Sequence, residues 1–239
     1  MTIEEGTFIE IDYTARTAED EEVFDTTQED VADEAGLDPQ GEHSFEPMVV
    51  CVGEGHIIKG LDDALVGKEL GSYDFNLTPE EAFGEKDEDM VQLIPESEFE
   101  DQEFEPRPGL EINVDGQYGV IKNVSGGRVV VDFNHPLSGH DIDYEVTVNR
   151  VVEDKQEQAE AIFEKIQMPY ENLTIEDGIA TVTVRMQLPD EFKENFTEEF
   201  ERLTGLAIEF DVDEENAITA GGLEDQLAGH DHDHDHDDE

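Results

Sequence analysis

The chain has 239 residues, of which 66 are Asp or Glu and 13 are Lys or Arg, giving a formal net charge of -53. That balance excludes nucleic-acid binding, which needs a basic patch to neutralise phosphates, and it argues against an anionic membrane surface. The length suits one large domain or two to three small ones.

Charge of this size opposes a compact state through self-repulsion, yet apolar and polar residues alternate in strand-like fashion almost to the end, which excludes disorder for most of the chain. At about 1 M salt the Debye length is roughly 3 Å, so carboxylate repulsion is largely screened. The composition therefore fits a folded protein living in very high salt. The lone cysteine, Cys51, rules out an internal disulfide and sits in an apolar run, as a buried structural thiol would. The first residues carry Glu4 and Glu5 and lack a basic-then-apolar leader, and no apolar run approaches a membrane span. The chain is read as a cytoplasmic monomer with no membrane partner.

From the N-terminus, Thr7 to Thr14 alternates, with Ile9, Ile11 and Tyr13 on one face, as in a half-buried antiparallel strand. Val23 to Thr27 reads as a second short strand. Residues 27–47 are acidic, contain Gly36, Pro39 and Gly41, and read as a long surface loop. Val49 to Val52 is a strand. It leads into Gly53-Glu54-Gly55-His56-Ile57-Ile58-Lys59-Gly60-Leu61, which opens a short helix with Ile58, Leu61 and Leu65 at helical spacing, Asp62 and Asp63 facing away, and Gly67 as a stop. Gly71 to Leu77 is again a strand. Thr78 to Gly84 is a turn whose Thr and acids can cap one helical turn.

The texture changes near Lys86. Met90 to Pro95 is apolar, and Leu110 to Val114, Tyr118 to Val124 and Arg128 to Phe133 read as strands joined at Asp115-Gly116 and Ser125-Gly126-Gly127. Asn134 to Gly139 forms an exit loop, and Ile142 to Val148 alternates so as to pair back into the first sheet. A helix with Ala159, Ile162, Phe163 and Ile166 on one stripe ends before Met168-Pro169. Leu173 to Ile175 and Ile179 to Leu188 form a hairpin across Asp177-Gly178. A helix over Glu191 to Leu203 follows, N-capped by Asp190, with Phe192, Phe196, Phe200 and Leu203 as its stripe and Gly205 as its stop. Leu206 to Val212 is the final strand. After Asp213 the chain is polar and acidic and reads as disordered.

Tyr13, Phe24-Asp25, the Gly53 to Leu61 stretch, Ala82-Phe83-Gly84 and Tyr144 occur in the order found in FKBP-type peptidyl-prolyl cis/trans isomerases, which the chain resembles. The insertion after Phe83-Gly84, closed by Asn134-His135-Pro136-Leu137-Ser138-Gly139, is similar to the SlyD-type subgroup, where an insert-in-flap chaperone domain interrupts the isomerase domain. The C-terminal unit resembles the long archaeal members, and the dense carboxylates with scarce Lys resemble proteins of salt-accumulating halophilic archaea. The resemblance implies an α+β fold: an antiparallel FKBP-like sheet wrapped on a short helix, an inserted small β-rich domain and an additional C-terminal α+β domain. The boundaries become 1–86 with 136–153 for the isomerase domain, 87–135 for the insert, 155–215 for the C-terminal domain and 216–239 for a disordered tail.

It implies a pocket of Tyr13, Phe24, Asp25, Ile57, Ile58, Leu61, Phe83 and Tyr144, with the Ile58 N–H donating to a substrate carbonyl and no cofactor required. Leu61 stands where many members have Trp, Phe83 where a Tyr is usual, and Tyr144 where Phe is commoner. Each aromatic also has the simpler reading of core packing. The partners implied are unfolded or proline-containing polypeptides. In the insert, Val91, Leu93, Ile94, Phe99 and Phe104 are either an exposed client-holding patch or the unit's own small core. Of the histidines, His56 and His135 belong to the family-like loops and are not read as ligands. The tail is different: His230, His232, His234 and His236 alternate with Asp, and imidazole suits a divalent ion such as Ni or Zn, although an acidic solubilising tail would look the same. The leading reading is a prolyl isomerase that assists folding; the alternatives are a holdase without catalysis and a metal-handling protein built on the tail.

Overall fold

The computed structural model describes residues 2–37, 45–99, 104–114 and 116–212. Among them lie twelve strands and four α-helices. A five-stranded sheet has the order β2-β1-β9-β4, with β3 paired to β1; its members are β1 (Phe8–Thr17), β2 (Val23–Thr26), β3 (Met48–Cys51), β4 (Gly71–Leu77) and β9 (Ile142–Val151). A four-stranded sheet has the order β5-β8-β7-β6, formed by β5 (Val91–Pro95), β6 (Glu111–Val114), β7 (Gln117–Ser125) and β8 (Arg128–Asp132). The third sheet, β10-β11-β12, holds β10 (Asn172–Glu176), β11 (Ile179–Val184) and β12 (Ala207–Val212). The fold class is thus mixed α+β.

The chain divides into two compact units. The first takes the N-terminal residues up to Glu4, then Ile11–Met48 and Ile57–Asn149; the second takes Glu5–Glu10, Val49–His56 and the chain from Arg150 on.

In the first unit, α2 (Lys59–Leu65) starts because the Ile58 carbonyl accepts the N–H groups of both Leu61 and Asp62, at 3.0 Å each. It ends at extended Val66, after which Gly67 turns left-handed and its N–H reaches the Ile3 carbonyl at 2.8 Å. Leu61 and Leu65 are fully buried as their spacing predicts. Asp62 is not on the outer face: it is buried, and only Asp63 faces outward, where it pairs with Lys59 one turn earlier. The first turn of a seven-residue helix packed on two sides leaves too narrow a solvent face for both acids.

The stretch read as a loop holds a further helix, α1 (Glu29–Ala35). Thr26 Oγ1 accepts the Gln28 N–H just ahead of it, Glu29 and Asp30 stand in its first turn, where acids favour the helix dipole, and left-handed Gly36 stops it. Its single buried residue, Ala32, gave too weak an apolar stripe to announce a helix.

The insert has its own core of Phe99, Ile112, Ile121, Val129, Val131 and Phe133, with Ile94 and Phe104 packed against it. Gly119 is required there, because a Cβ would meet Phe133 and Val131 side-chain atoms at 2.7 and 2.8 Å. The Gly126-Gly127 hairpin joins Ser125 to Arg128 with both central residues at positive φ, which a type I′ turn demands. The two readings of the insert's apolar residues therefore divide between them: Ile94, Phe99 and Phe104 are core, whereas Val91 and Leu93 stay 43% and 61% exposed.

In the second unit, α3 (Lys155–Lys165) is capped by Asp154, whose carboxylate accepts the Gln156 and Glu157 N–H groups. It stops at Lys165, so Ile166 is exposed rather than part of the stripe, and Gln167 turns at φ 50. The β10–β11 hairpin turns at Asp177 and Gly178, both at positive φ. β11 ends at Val184, four residues before Leu188. α4 (Asp190–Thr204) then crosses over to β12, which pairs parallel to β11, and Gly205 in the left-handed region closes the helix. Phe163, Phe196 and Phe200 lie at the centre of this unit's core, which also takes Phe8 and Cys51 from the N-terminal part of the chain. Cys51 is fully buried, as expected for a structural thiol.

Candidate active site

The sequence-predicted pocket residues come from four pieces of the first unit: β1 with β2, the α2 lead-in, the turn after β4, and β9. The first piece is locked by hydroxyls. Thr26 Oγ1 donates to the Tyr13 carbonyl at 2.9 Å, and because it spends its proton there, the buried 2.9 Å contact with Thr14 Oγ1 has Thr14 as donor. The Tyr13 N–H donates to Thr27 Oγ1 at 2.9 Å and the Thr27 N–H returns to the Tyr13 carbonyl at 3.0 Å. Next to this knot the β1–β2 register shifts between Ala15 and Arg16, as at a β-bulge. The result holds the Tyr13 hydroxyl on Asp25 Oδ2 at 2.7 Å.

Burial raises the Tyr13 hydroxyl far above its ordinary range, and the charge and hydrogen bond of Asp25 push the same way. Tyr144 lies beside it, ring centroids 6.1 Å apart, and burial with the Asp25 charge lifts its hydroxyl to about 12. Both phenols therefore stay protonated donors at neutral pH. Tyr13 donates to Asp25; the Tyr144 hydroxyl has no partner among the described residues.

Phe83 is presented by a single 3-10 turn, Pro79–Glu81. Glu81 Oε2 accepts both the N–H and the hydroxyl of Thr78, at 3.0 Å each, so the turn is capped as its Thr and acids predict. Gly84 follows at φ 82, its N–H on the Pro79 carbonyl at 2.7 Å. The Phe83 carbonyl accepts the hydroxyl of buried Ser138 at 3.1 Å, and Gly139 N–H binds the Gly84 carbonyl at 2.8 Å. Phe24 meets Phe83 edge-on at 5.8 Å, and His135 stacks flat on it at 4.7 Å with an interplanar angle of 2°.

Leu61 is buried, and Ile57 and Ile58 are half-buried. Among the described residues no ring contact or hydrogen bond joins these three to Tyr13, Phe24, Phe83 or Tyr144. The link is Gly60: a Cβ there would lie 2.6 Å from the Glu81 carbonyl oxygen, so α2 approaches the Phe83 turn closely enough to need a residue without a side chain. Among the described residues no backbone carbonyl accepts the Ile58 N–H.

Sequence reasoning missed Thr26, Thr27, Ser138 and His135. The threonines are spelled out in Asp25-Thr26-Thr27, but their partners in β1 lie twelve or more residues away. His135 sat in a loop already recognised as the insert's exit, and the return of that loop to Phe83 is a tertiary fact.

Among the described residues no group of three or more His, Cys, Asp and Glu side chains is arranged to hold a metal ion. His230, His232, His234 and His236 lie outside the described residues. No described helix is long and apolar enough to cross a membrane.

Residues 1–100 match the family model of FKBP-type peptidyl-prolyl cis-trans isomerases, and residues 92–137 match that of the FKBP26 IF domain. A short-type peptidyl-prolyl cis-trans isomerase of Methanocaldococcus jannaschii is 34% identical over 150 residues, covering 62% of this chain and 94% of that protein. The chain belongs to the FKBP-type peptidyl-prolyl cis-trans isomerase family. An FKBP-type isomerase of Escherichia coli, the 16 kDa one, is 34% identical over 109 residues, 43% of this chain and 72% of its own. The SlyD isomerase of Haemophilus influenzae is 34% identical over 108 residues, 43% of this chain and 56% of its own. The isomerase thus has SlyD-like relatives, as the order of its motifs implies, and prolyl isomerisation in protein folding is its activity. The family chemistry needs no cofactor.

Proposed function

We propose that the enzyme turns X-Pro bonds of folding polypeptides in a pocket walled by Tyr13, Phe24, Asp25, Phe83 and Tyr144, floored by Leu61 and edged by Ile57 and Ile58. The observation that carries this is the pairing of protonated donors with apolar rings: Tyr13 fixed on Asp25 at 2.7 Å, Tyr144 beside it, and the Phe24–Phe83 pair. Rotation about the amide faces about 18–20 kcal/mol because resonance makes the C–N bond partly double. The planar amide is the more polar state; the twisted one has lost resonance. An apolar enclosure disfavours the former relative to the latter, and fixed donors replace water at the carbonyl oxygens. The Ile58 N–H donates to a substrate carbonyl and holds the chain across the pocket. The Tyr144 hydroxyl supplies a second donor that Phe83 cannot. No bond to the substrate is made or broken, and no proton is transferred.

The insert, read as 87–135, holds unfolded segments near the pocket within an isomerase domain of 1–86 and 136–153. Leu93 at 61%, Val91 at 43% and Tyr118 at 79% exposure support this, since its core is already filled by other side chains. Residues 155–215 form a C-terminal domain and 216–239 a tail whose His230, His232, His234 and His236 take Ni or Zn. The protein works as a monomer in a salt-rich cytoplasm of a halophilic archaeon, on unfolded or proline-containing polypeptides and without nucleic-acid or membrane partners; its charge of -53 supports the salt and the last two exclusions.

The test is proline-limited refolding of a model protein in molar KCl. The wild type should accelerate it, Phe83→Ala should lose most of the acceleration while staying folded, and replacing the insert by a short turn should lower activity on protein clients more than on short peptides. A wild type that leaves the slow phase unchanged would leave only a holdase. Calorimetric titration of nickel into full-length and tail-deleted protein tests the tail; equal heats refute it.

A further inference from the structure

Phe83 has no group that can donate a hydrogen bond, but the ring lying on it does. His135 stacks on Phe83 with centroids 4.7 Å apart and an interplanar angle of 2°, and Phe24 meets the same phenyl edge-on at 5.8 Å. All three residues belong to one compact unit, so this geometry is internal to it. The backbone on both sides of His135 is pinned. Ahead of it, Asn134 is tied through its side chain to the backbone of Asp87. Behind it, the Ser138 N–H closes a turn on the His135 carbonyl at 2.9 Å, while the Ser138 hydroxyl reaches the Phe83 carbonyl at 3.1 Å. Pro136 in between disfavours the helical region for His135 itself. The ring is pinned as well, because the Leu137 N–H donates to His135 Nδ1 at 3.2 Å. A ring nitrogen that accepts carries no proton, so the imidazole proton is on Nε2. As an atom of the stacked ring, Nε2 stands directly beside the Phe83 phenyl. It makes no hydrogen bond among the described residues, and His135 is exposed, so that N–H is open to an incoming chain. Packing alone would be served by any flat ring; the bond from Leu137 selects the tautomer that leaves a donor there.

We propose that His135 is a substrate-binding residue of the isomerase: its Nε2–H donates to a main-chain carbonyl of the bound polypeptide beside the proline ring, while its face holds Phe83 in place. This rests on the reading of Phe24 and Phe83 as a wall of the pocket. The proline nitrogen has no hydrogen to offer, so the polar groups of an X-Pro segment nearest the rotating bond are carbonyl oxygens, which only a donor can hold. Nothing is transferred, and the Nε2 proton stays on the ring. A donor that holds the carbonyl alike in ground and transition states sets KM and leaves kcat nearly unchanged when it is removed.

The experiment measures kcat and KM on a short proline peptide, in molar KCl, for His135→Phe, His135→Gln and Phe83→Ala, with denaturant midpoints for each. His135→Phe keeps a flat ring for Phe83 and loses the donor; His135→Gln loses the ring and keeps an N–H at similar reach. His135→Phe should raise KM about threefold, the effect of one neutral hydrogen bond, with kcat within about twofold and the midpoint unchanged. His135→Gln should keep a lower KM than His135→Phe and lose kcat instead, because Phe83 is less firmly held. NMR of the imidazole nitrogens gives a readout that packing alone would not move. The ring signals that vanish in His135→Phe should show the proton on Nε2, and the Nε2 resonance should shift when the peptide is added. Wild-type KM in His135→Phe, a KM in His135→Gln as high as in His135→Phe, or an Nε2 resonance indifferent to the peptide overturns the donor. Wild-type kinetics in Phe83→Ala would instead strike the pocket reading itself.

Discussion

Gly60→Ala separates packing from helix propensity, because the two predict opposite signs. Gly60 is the second residue of α2, and replacing glycine by alanine inside a helix stabilises by up to about 1 kcal/mol. The added methyl would lie 2.6 Å from the Glu81 carbonyl oxygen, 2.8 Å from its Cβ and 3.1 Å from its carbonyl carbon. Relief to an ordinary 3.4 Å contact requires the turn to retreat by 0.8 Å from the oxygen alone. The obstacle is backbone, already committed to the Thr78 cap and to the Ala82 N–H bonds, so no side chain can swing aside. Overpacking of this kind costs about 1–3 kcal/mol. Set against the propensity gain, the variant should be about 1–2 kcal/mol less stable. The retreat also displaces Phe83, two residues on. A shift approaching 1 Å at a reacting pocket can cost up to about a hundredfold, so kcat/KM should fall by roughly tenfold. Urea unfolding in molar KCl gives the stability and a proline-peptide assay gives the rate. An alanine variant at least as stable and as active as the wild type would refute the tight approach of α2 to the Phe83 turn.

His56 is neutral in the fold: burial lowers its imidazole to about 4, the Lys165 charge acts in the same sense and Glu54 opposes it. The unfolded chain takes up that proton below about 6.5, so stability present above that value is lost as pH falls toward 4. The loss attributable to His56 between pH 7 and 5 is about 2 kcal/mol, read as the difference between wild type and His56→Gln in denaturant titrations; parallel pH profiles would contradict it. His135→Ala removes the flat stack on Phe83, a contact of the kind worth about 0.5–1.5 kcal/mol, and should lower kcat/KM by a fewfold with little effect on the melting of the insert; unchanged kinetics would remove His135 from the pocket. The whole protein should melt well above its low-salt temperature in molar KCl, where carboxylate repulsion is screened, and equal melting temperatures would end the high-salt reading.

What could be read in advance was what local chemistry determines. The alternation of Ile9, Ile11 and Tyr13 gave β1, and the run from Gly71 to Leu77 gave β4 with the bounds expected of it. Asp177-Gly178 and Gly126-Gly127 gave their hairpins because positive φ at two successive residues needs such pairs. Gly205 gave the end of α4. The order of the family motifs named Tyr13, Tyr144, Phe24 and Phe83, which the structure brings together as two ring pairs. What could not be read depended on distant partners. Phe8 and Cys51 lie in strands whose apolar sides look like any others, yet they belong to a core built mainly from residues after Val152. Ser138 reaches the Phe83 carbonyl across fifty-five positions, and nothing local to either residue signals it. Helix α1 buries one alanine, below what any periodicity can detect. The burial of Asp62 depends on what packs over α2, not on the helix itself.

The entrance and exit of the insert are laced together. The Asn134 side chain accepts the Asp87 N–H at 2.8 Å and donates to the Asp87 carbonyl at 2.9 Å, copying the two bonds of a strand pair. Phe133 N–H binds the Met90 carbonyl at 3.0 Å just inside that lacing, and Gly139 N–H binds Gly84 just outside it. To the chain on either side, a segment of nearly fifty residues therefore behaves as a tight turn. Closing a long loop costs little more than closing a short one once its ends are held, so the length and content of this segment are free to vary while the junction stays put. Evolution, or an engineer, can exchange this segment for another at the collar and leave Phe83 in its place.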